Sequence, residues 1–85
     1  MEEKMEEVGE VTHYFSKISV AVVKLKGTLS VGDKIRIKGK TTDFEQVVES
    51  MQIEHKNIER AEAGQSVGLK VNSRVREKDK VYKIT

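Results

Sequence analysis

The 85-residue sequence contains no cysteine, no proline and no tryptophan, and it has only two tyrosines and two phenylalanines. Without cysteine, neither a disulfide framework nor a thiolate metal site can form, and this absence fits an intracellular chain. No apolar run is long enough to cross a membrane, and the N-terminus lacks the basic-then-apolar order of a signal peptide. These absences predict a soluble, cytoplasmic protein.

Charged residues, by contrast, are abundant, at 35% of the chain against 36% hydrophobic residues. Such a dense mixed-charge composition is a weak indication of a thermophile. The formal net charge is +2, but the first ten residues carry five glutamates and one lysine, so the remainder is more basic than the total. The length fits one small domain. The sequence predicts an acidic flexible leader over residues 1–7 and a single domain over residues 8–85.

The stretch Lys26–Gly39 predicts the architecture most clearly. Gly32 and Asp33 are typical of a tight turn, because glycine tolerates positive φ and aspartate bonds to nearby backbone. The alternation that follows places Ile35 and Ile37 on one face of a strand and three cations on the other. This stretch therefore predicts a strand with an aliphatic inner face and a positive outer face.

Similar short strands are predicted along the rest of the chain, at 8–15, 18–26, 44–54, 66–71 and 81–84. Gly9 indicates a bulge or a close backbone approach, and a second bulge near Val47-Val48 would keep the apolar residues of that strand inward. A helix is the alternative for residues 44–54, and residues 55–65 are predicted to form a loop or one helical turn. Six or seven short strands with frequent turn signals predict an all-β fold, a small closed antiparallel barrel.

Two glycine-anchored motifs resemble the second domain of translational GTPases such as elongation factor Tu and initiation factor two. The motifs read Gly27-x-Leu29-x-Val31-Gly32-Asp33-x-Ile35 and, after Val48-x-Ser50-Met51, Ala61-x-Ala63-Gly64-x-x-Val67-Gly68-Leu69. The resemblance extends over roughly residues 9–84, and the best overall likeness is to stand-alone elongation factor-like proteins. It implies a six-stranded Greek-key β-barrel of the translation-factor domain 2 type, and a role in protein biosynthesis. The segment Val8–Asp33 also resembles the C-terminal barrel of collagenase-like peptidase family proteins.

The sequence departs from the GTPases at several positions. It has no G-x-x-x-x-G-K-[ST] loop, so no GTP binding and no other cofactor are expected. Where the GTPases carry a Gly-Arg pair before the hairpin, this chain has Val22–Leu25, and Lys70–Asn72 stands where they often carry a glycine. These departures weaken the transfer of tRNA binding from the resemblance.

Rows of basic residues are the leading candidate for a binding surface. Alternating cations suit a phosphate backbone, because each contact releases condensed counterions. The alternative is a solvated outer face whose cations are neutralised by glutamates across a strand pair. The rows contain Lys24, Lys26, Lys34, Arg36, Lys38 and Lys40, and then Arg74, Arg76, Lys78 and Lys80.

Two aromatic residues beside the cations, Tyr14 and Phe15, are candidates for stacking on bases. The alternative is that one or both fill the end of the barrel. The chain has only two histidines, His13 and His55, and no metal-ligand spacing, so no metal site is predicted. No nucleophile motif is present either, and the chain is predicted not to be an enzyme.

These observations leave two functional hypotheses. The leading one is a non-catalytic module that contacts RNA, such as tRNA or the ribosome, through its basic strand faces. The alternative is a protein-interaction or accessory domain for a larger partner, such as a collagenase-like peptidase family protein. Cations gathered in one open patch would favour RNA, whereas cations paired with glutamate would favour the interaction domain.

Overall fold

The computed structural model describes residues 4–85, which form ten β-strands and no helix. The strands are β1 (Met5–Phe15), β2 (Val20–Leu25), β3 (Leu29–Ser30), β4 (Lys34–Lys38), β5 (Asp43–Val47), β6 (Met51–Ile53), β7 (Lys56–Ile58), β8 (Arg60–Ala61), β9 (Ser66–Lys70) and β10 (Lys80–Ile84). Every strand pair is antiparallel. The prediction of an all-β antiparallel fold is confirmed, and the helical alternative for residues 44–54 is excluded.

Eight strands form one sheet in the order β5-β4-β10-β1-β2-β9-β6-β7, and β3 pairs with β8. From edge strand β5, the buried Gln46 reaches the segment that follows β9. Its Nε2 donates to the Lys70 carbonyl at 2.9 Å, and its Oε1 accepts from the Asn72 N–H at 2.7 Å. A side chain thus links one edge of the sheet to a strand near the other edge. Among residues 4–85 no backbone ladder joins β5 to β7, and the closed Greek-key barrel stays a prediction.

A single aliphatic core fills the inside of this curved sheet. Strand β4 shows how the sequence produces it, because Ile35 and Ile37 are fully buried while their neighbours point outward. Burying each such side chain contributes about 1.5–3 kcal/mol. The buried apolar residues of the described chain are Val8, Val11, Ala21, Val23, Leu25, Leu29, Ile35, Ile37, Val48, Met51, Ala61, Val67, Leu69, Val71, Val75 and Val81.

The turn predicted at residues 31–33 is confirmed. Gly32 has φ of 97°, and the Asp33 carboxylate accepts from the Ser30 N–H at 2.9 Å. The close approach predicted at Gly9 is also confirmed, because a Cβ there would lie 2.6 Å from Val23 Cγ1. The pairing of β1 shifts register between Glu7 and Gly9 and again between Val11 and His13.

Two details of the predicted strands are wrong. Val47 points outward and is 49% exposed, whereas its polar neighbour Gln46 occupies the inner position, where backbone groups satisfy its amide. The segment predicted as a loop or helical turn contains β7 and β8 instead. A two-residue turn, Glu54-His55, joins β6 to β7 with φ of 51° and 65°, values that ordinarily select asparagine and glycine.

The first strand begins earlier than predicted within the described residues. Met5 pairs with Ile84 and Glu7 pairs with Tyr82, so the first strand begins three residues before the predicted start at Val8. The backbone of Lys4 and Thr85 exchanges two further hydrogen bonds, of 3.1 and 2.9 Å. Residues 1–3 of the predicted leader lie outside the described residues, and the division of the chain at residue 8 stays a prediction.

Candidate interaction surface

The first basic row lies on the outer face of β4, where carboxylates of β5 form ion pairs with two of its cations. Arg36 forms a two-pronged contact with Asp43, with Nε to Oδ1 at 2.7 Å and the second nitrogen to Oδ2 at 2.9 Å. It also reaches Glu45 at 3.5 Å, and Lys34 Nζ lies 3.3 Å from the same carboxylate. Carboxylates of the adjacent strand therefore neutralise the middle of this row.

The same pairing extends across β10, β1 and β2. Lys26 Nζ lies 2.7 Å from Glu7, and Lys80 donates to Glu10. Four of the ten predicted cations are thus held by carboxylates across the face of the sheet. These four pairs are of the kind expected for an interaction domain, whereas Lys24, Lys38, Lys40, Arg74, Arg76 and Lys78 have no carboxylate within 4 Å among residues 4–85.

These pairs change the acid–base behaviour of their carboxylates. The hydrogen bond from Lys26 lowers the pKa of Glu7, the hydrogen bond from Lys80 lowers the pKa of Glu10, and Arg36 lowers the pKa of Asp43. The hydrogen bond to Glu10 raises the pKa of Lys80 above its ordinary 10.5. Each of these four shifts favours the charged form of its own group, namely Glu7, Glu10, Asp43 and Lys80, in the folded state.

We expect the folded chain to lose stability in acid because of these carboxylates. A lowered folded pKa contributes stability that is fully present above the unfolded value, 4.5 for the glutamates, and is lost as the pH falls through the folded pKa. Urea midpoints measured between about pH 6 and pH 3 should fall below about pH 4.5 and fall less at high salt. The triple variant Glu7→Gln, Glu10→Gln, Asp43→Asn should show a shallower decline. Equal slopes for both chains would contradict the assignment.

Three connections meet at the other end of the sheet. The β1–β2 turn contacts the segment after β9, since the Val71 N–H donates to the Ser19 carbonyl at 2.9 Å. The β9–β10 loop runs beside β1, with the Lys78 N–H donating to Val11 at 2.7 Å. The β4–β5 turn faces the same loop, because a Cβ on Gly39 would lie 1.9 Å from Asp79 Oδ1.

The surface at this end, which we call the basic end, carries cations that belong to no ion pair within residues 4–85. Its backbone is held in place by the buried Asp79, whose Oδ2 accepts from the Arg76 N–H at 2.9 Å. The cations are Lys17, Lys38, Lys40, Lys70, Arg74, Arg76 and Lys78.

Apolar side chains protrude among these cations. Ile18, in the β1–β2 turn, is 63% exposed, and Phe15 is 46% exposed. Phe15 packs edge-to-face on His13 with ring centroids 4.4 Å apart. From Phe15 and Ile18 a groove continues along the outer face past Val20 and Val22.

The structure brings some predicted site residues together and separates others. Lys40, Arg74, Arg76, Lys78 and Phe15 lie at the basic end, and Lys24, Lys26, Lys34 and Arg36 lie along the sheet face. Lys38, at the basic end, is the cross-strand partner of Lys80, so these two lysines lie where the two regions meet. Tyr14 is half-buried and packs against the core. Lys17, Ile18 and Lys70 were not among the predicted site residues. An isoleucine between polar turn residues, Ser16-Lys17 and Ser19, was the available signal.

Two further features concern chemistry and membranes. In the described part of the chain, no three histidine, aspartate or glutamate side chains are grouped so as to hold a metal ion. No helix among these residues has the length and hydropathy to span a membrane. The cytoplasmic location and the absence of enzymatic activity stay predictions.

Comparison with known proteins relates this fold to peptidase-like proteins. No family model matches the sequence. The chain is 51% identical over 77 residues to an uncharacterized protease of Methanocaldococcus jannaschii. This alignment covers 89% of this chain and 19% of that protein. It is 38% identical over 78 residues to a collagenase of Porphyromonas gingivalis, covering 89% of this chain and 22% of that protein. The chain thus spans about a fifth of the length of these curated relatives.

A solved structure matches nearly the whole chain. The crystal structure of the C-terminal domain of a putative U32 peptidase from Geobacillus thermoleovorans superposes with a TM-score of 0.86 and 25% identity. The match covers 92% of this chain and 91% of that domain. The selenomethionine variant of the same domain gives a TM-score of 0.85 at 24% identity.

These comparisons correct the leading functional hypothesis. A translation-related, RNA-binding module is wrong as the interpretation of this chain, because its relatives are named as proteases and collagenases and its structural neighbour is a domain of a putative U32 peptidase. The likeness to collagenase-like peptidase proteins is confirmed, whereas the likeness to translation factors is not. The comparisons favour the alternative hypothesis, an accessory domain.

Proposed function

We propose that this chain is an accessory domain that binds the body of a larger protein of the U32 peptidase or collagenase-like kind. The observation that carries the proposal is the coverage of the matches. Eighty-nine per cent of the chain aligns with only 19% of the Methanocaldococcus protein, so the similar region there is one part of a much larger chain. A region of this size with its own core is typical of a domain packed against a larger body.

The charge distribution on β4 and β5 is compatible with a protein partner. Arg36 and Lys34 are engaged by carboxylates of β5, so half of the row that best resembled a nucleic-acid surface is balanced within the chain. Interfaces between domains of one chain bury roughly 600–1,500 Å² and tolerate many polar groups. A surface that combines charged side chains with local apolar patches is compatible with such an interface.

In this proposal the chain performs no chemical step itself. Any proteolytic activity of the relatives would reside in the roughly four fifths of their length that this chain does not match. The domain would position that body, or a segment of it, by docking. Closure of the sheet into a Greek-key barrel belongs to the same proposal, and the Gln46 contact with Lys70 and Asn72 supports it.

A chimera tests the docking. In it, this chain replaces the matched region of the Methanocaldococcus protein, and hydrogen exchange is measured by mass spectrometry for the chimera and for the isolated chain. A tethered partner acts at about millimolar effective concentration. A dissociation constant near 10 μM would then slow the slowest core amides about a hundredfold in the chimera.

Identical exchange in the chimera and the isolated chain would overturn the proposal. Should the chimera fail to fold, the native Methanocaldococcus protein and its own isolated region, 51% identical to this chain, provide the same comparison. An unchanged exchange rate there would have the same meaning. A chymotrypsin-like or collagen-degrading activity of the isolated chain would separately contradict the absence of catalysis.

A further inference from the structure

We infer that the basic end is the docking face, and that it binds an acidic protein surface containing an apolar pocket. This inference rests on the proposed function and names its contact. The centre of the face is formed by Ile18 and Phe15, and the rim by the seven cations of the basic end. The occupant is an acidic patch on the body of the larger protein.

Two parts of the protein surface differ in how their cations are paired with carboxylates. Along the sheet face, carboxylates hold Lys26, Arg36 and Lys80. At the basic end, the described residues place no carboxylate within 4 Å of the seven cations, and longer-range attractions act between Lys38 and Asp43 and between Lys78 and Glu10. An acidic partner would complement the second region and be neutral toward the first.

Carboxylates also lie near this end, and Glu54 lines the groove beside Ile18. Asp43 is held by Arg36, and Asp79 is buried and accepts from the Arg76 N–H. Glu77 lies 3.5 Å from His13 Nδ1 and is exposed. The local field is therefore strongly positive, which fits attraction and orientation of an acidic surface.

The apolar centre distinguishes a protein partner from a nucleic acid. Ile18 is the most exposed large apolar side chain of the described residues, and it stands in a turn where no neighbour covers it. Phe15 can stack on a base, but Ile18 has no aromatic ring for stacking and no group that binds a phosphate, whereas a protein pocket would bury it. An apolar centre inside a charged rim is the ordinary anatomy of a protein interface.

The groove beside Ile18 extends the apolar centre. Gly68 forms part of its wall, where a Cβ would lie 3.3 Å from Val20 Cγ1. Val22 is the next outward residue of β2 and pairs with Gly68. An apolar segment of the partner can therefore follow Ile18 along the strands, which extends the contact beyond one side chain.

The test uses two variants in the chimera, each with a matched control. Ile18→Asp places a charge in the apolar centre, and Val47→Asp does the same at an exposed valine on β5. The double variant Arg74→Glu, Arg76→Glu reverses two charges at the basic end. Its control, Lys56→Glu with Arg60→Glu, makes the same charge change on β7 and β8.

Hydrogen exchange of each variant is compared between the chimera and the isolated variant chain, which separates docking from folding. Docked wild type should protect residues 13–19 and 71–79 in addition to the core. Loss of one hot-spot contact should reduce the protection about thirtyfold for the two basic-end variants. Both controls should retain the wild-type protection.

The outcomes separate the two proposals. Absence of protection in the wild-type chimera would overturn the proposed function itself. Protection that survives in both basic-end variants, or that is lost in the controls, would leave docking intact and overturn the assignment of its face. If the basic end is unprotected while the isolated chain binds a polyuridine oligonucleotide through Arg74 and Arg76, the surface serves a nucleic acid and the inference is wrong.

Discussion

Replacing Gly39 with alanine should destabilise the folded chain by about 2–3 kcal/mol, because the new methyl group has no space. A Cβ at this position would lie 1.9 Å from Asp79 Oδ1 and 2.5 Å from its Cγ. Asp79 is only 5% exposed, and its carboxylate accepts the Arg76 N–H. The side chain cannot move away without giving up that hydrogen bond. The free energy of unfolding in urea measures the loss.

A matched substitution and a rescue make this prediction specific. Gly27→Ala should cost less than about 1 kcal/mol, since its Cβ would meet Val8 at an ordinary 3.5 Å. In an Asp79→Ala background, Gly39→Ala should cost much less than in the wild type, which a double-mutant cycle detects. If Gly39→Ala unfolds at the wild-type urea concentration, the close contact between the β4–β5 turn and Asp79 does not exist.

Gln46→Leu should cost about 2–4 kcal/mol even though leucine fits the available volume. The amide is 6% exposed and satisfies two backbone groups, the Lys70 carbonyl and the Asn72 N–H. Leucine would leave both unpaired, and each unsatisfied group costs about 1–3 kcal/mol. Urea unfolding of the variant, with the slope compared with the wild type, measures the effect.

Two companions test the reason for this cost. Gln52→Leu removes an exposed amide that bonds Asn57 at 2.9 Å, and it should change stability by less than about 0.5 kcal/mol. Gln46→Glu keeps the acceptor for Asn72 but loses the donor to Lys70, so part of its deficit should be recovered in acid, where the carboxyl is protonated. An equal cost for Gln46→Leu and Gln52→Leu would show that the link between β5 and the end of β9 is unimportant.

The strands with a clean two-residue period were predictable from sequence. Residues 34–38 were predicted as a strand, and β4 has those bounds, because its aliphatic residues all have one parity. Gln46 is an exception to the rule that the inward positions of a strand are apolar. Its inward position depends on two backbone groups twenty-four and twenty-six residues away, and no local pattern carries that information.

The candidate surface was predictable only in part, because charge depends on pairing as well as on sequence. The cations of β4 were evident, and the possibility of neutralisation by Glu45 could be stated. The two-pronged contact between Arg36 and Asp43 could not be predicted, because it depends on the strand register that pairs Lys38 with Asp43. The hairpin at Glu54-His55 was missed because its turn lacks the asparagine and glycine that such backbone angles favour.

The pairing of Lys4 with Thr85 has a consequence for how this domain can be attached to a host. Residues 4 and 85 lie side by side, and β1 runs from there to Phe15, roughly 30 Å away at the basic end. In the proposed accessory role, connections to the larger protein made beside residues 4 and 85 would lie away from the basic end. Circular permutation at this junction should be tolerated for the same reason. The domain would then be attached to the larger protein at one end of the sheet and would dock through the basic end at the other.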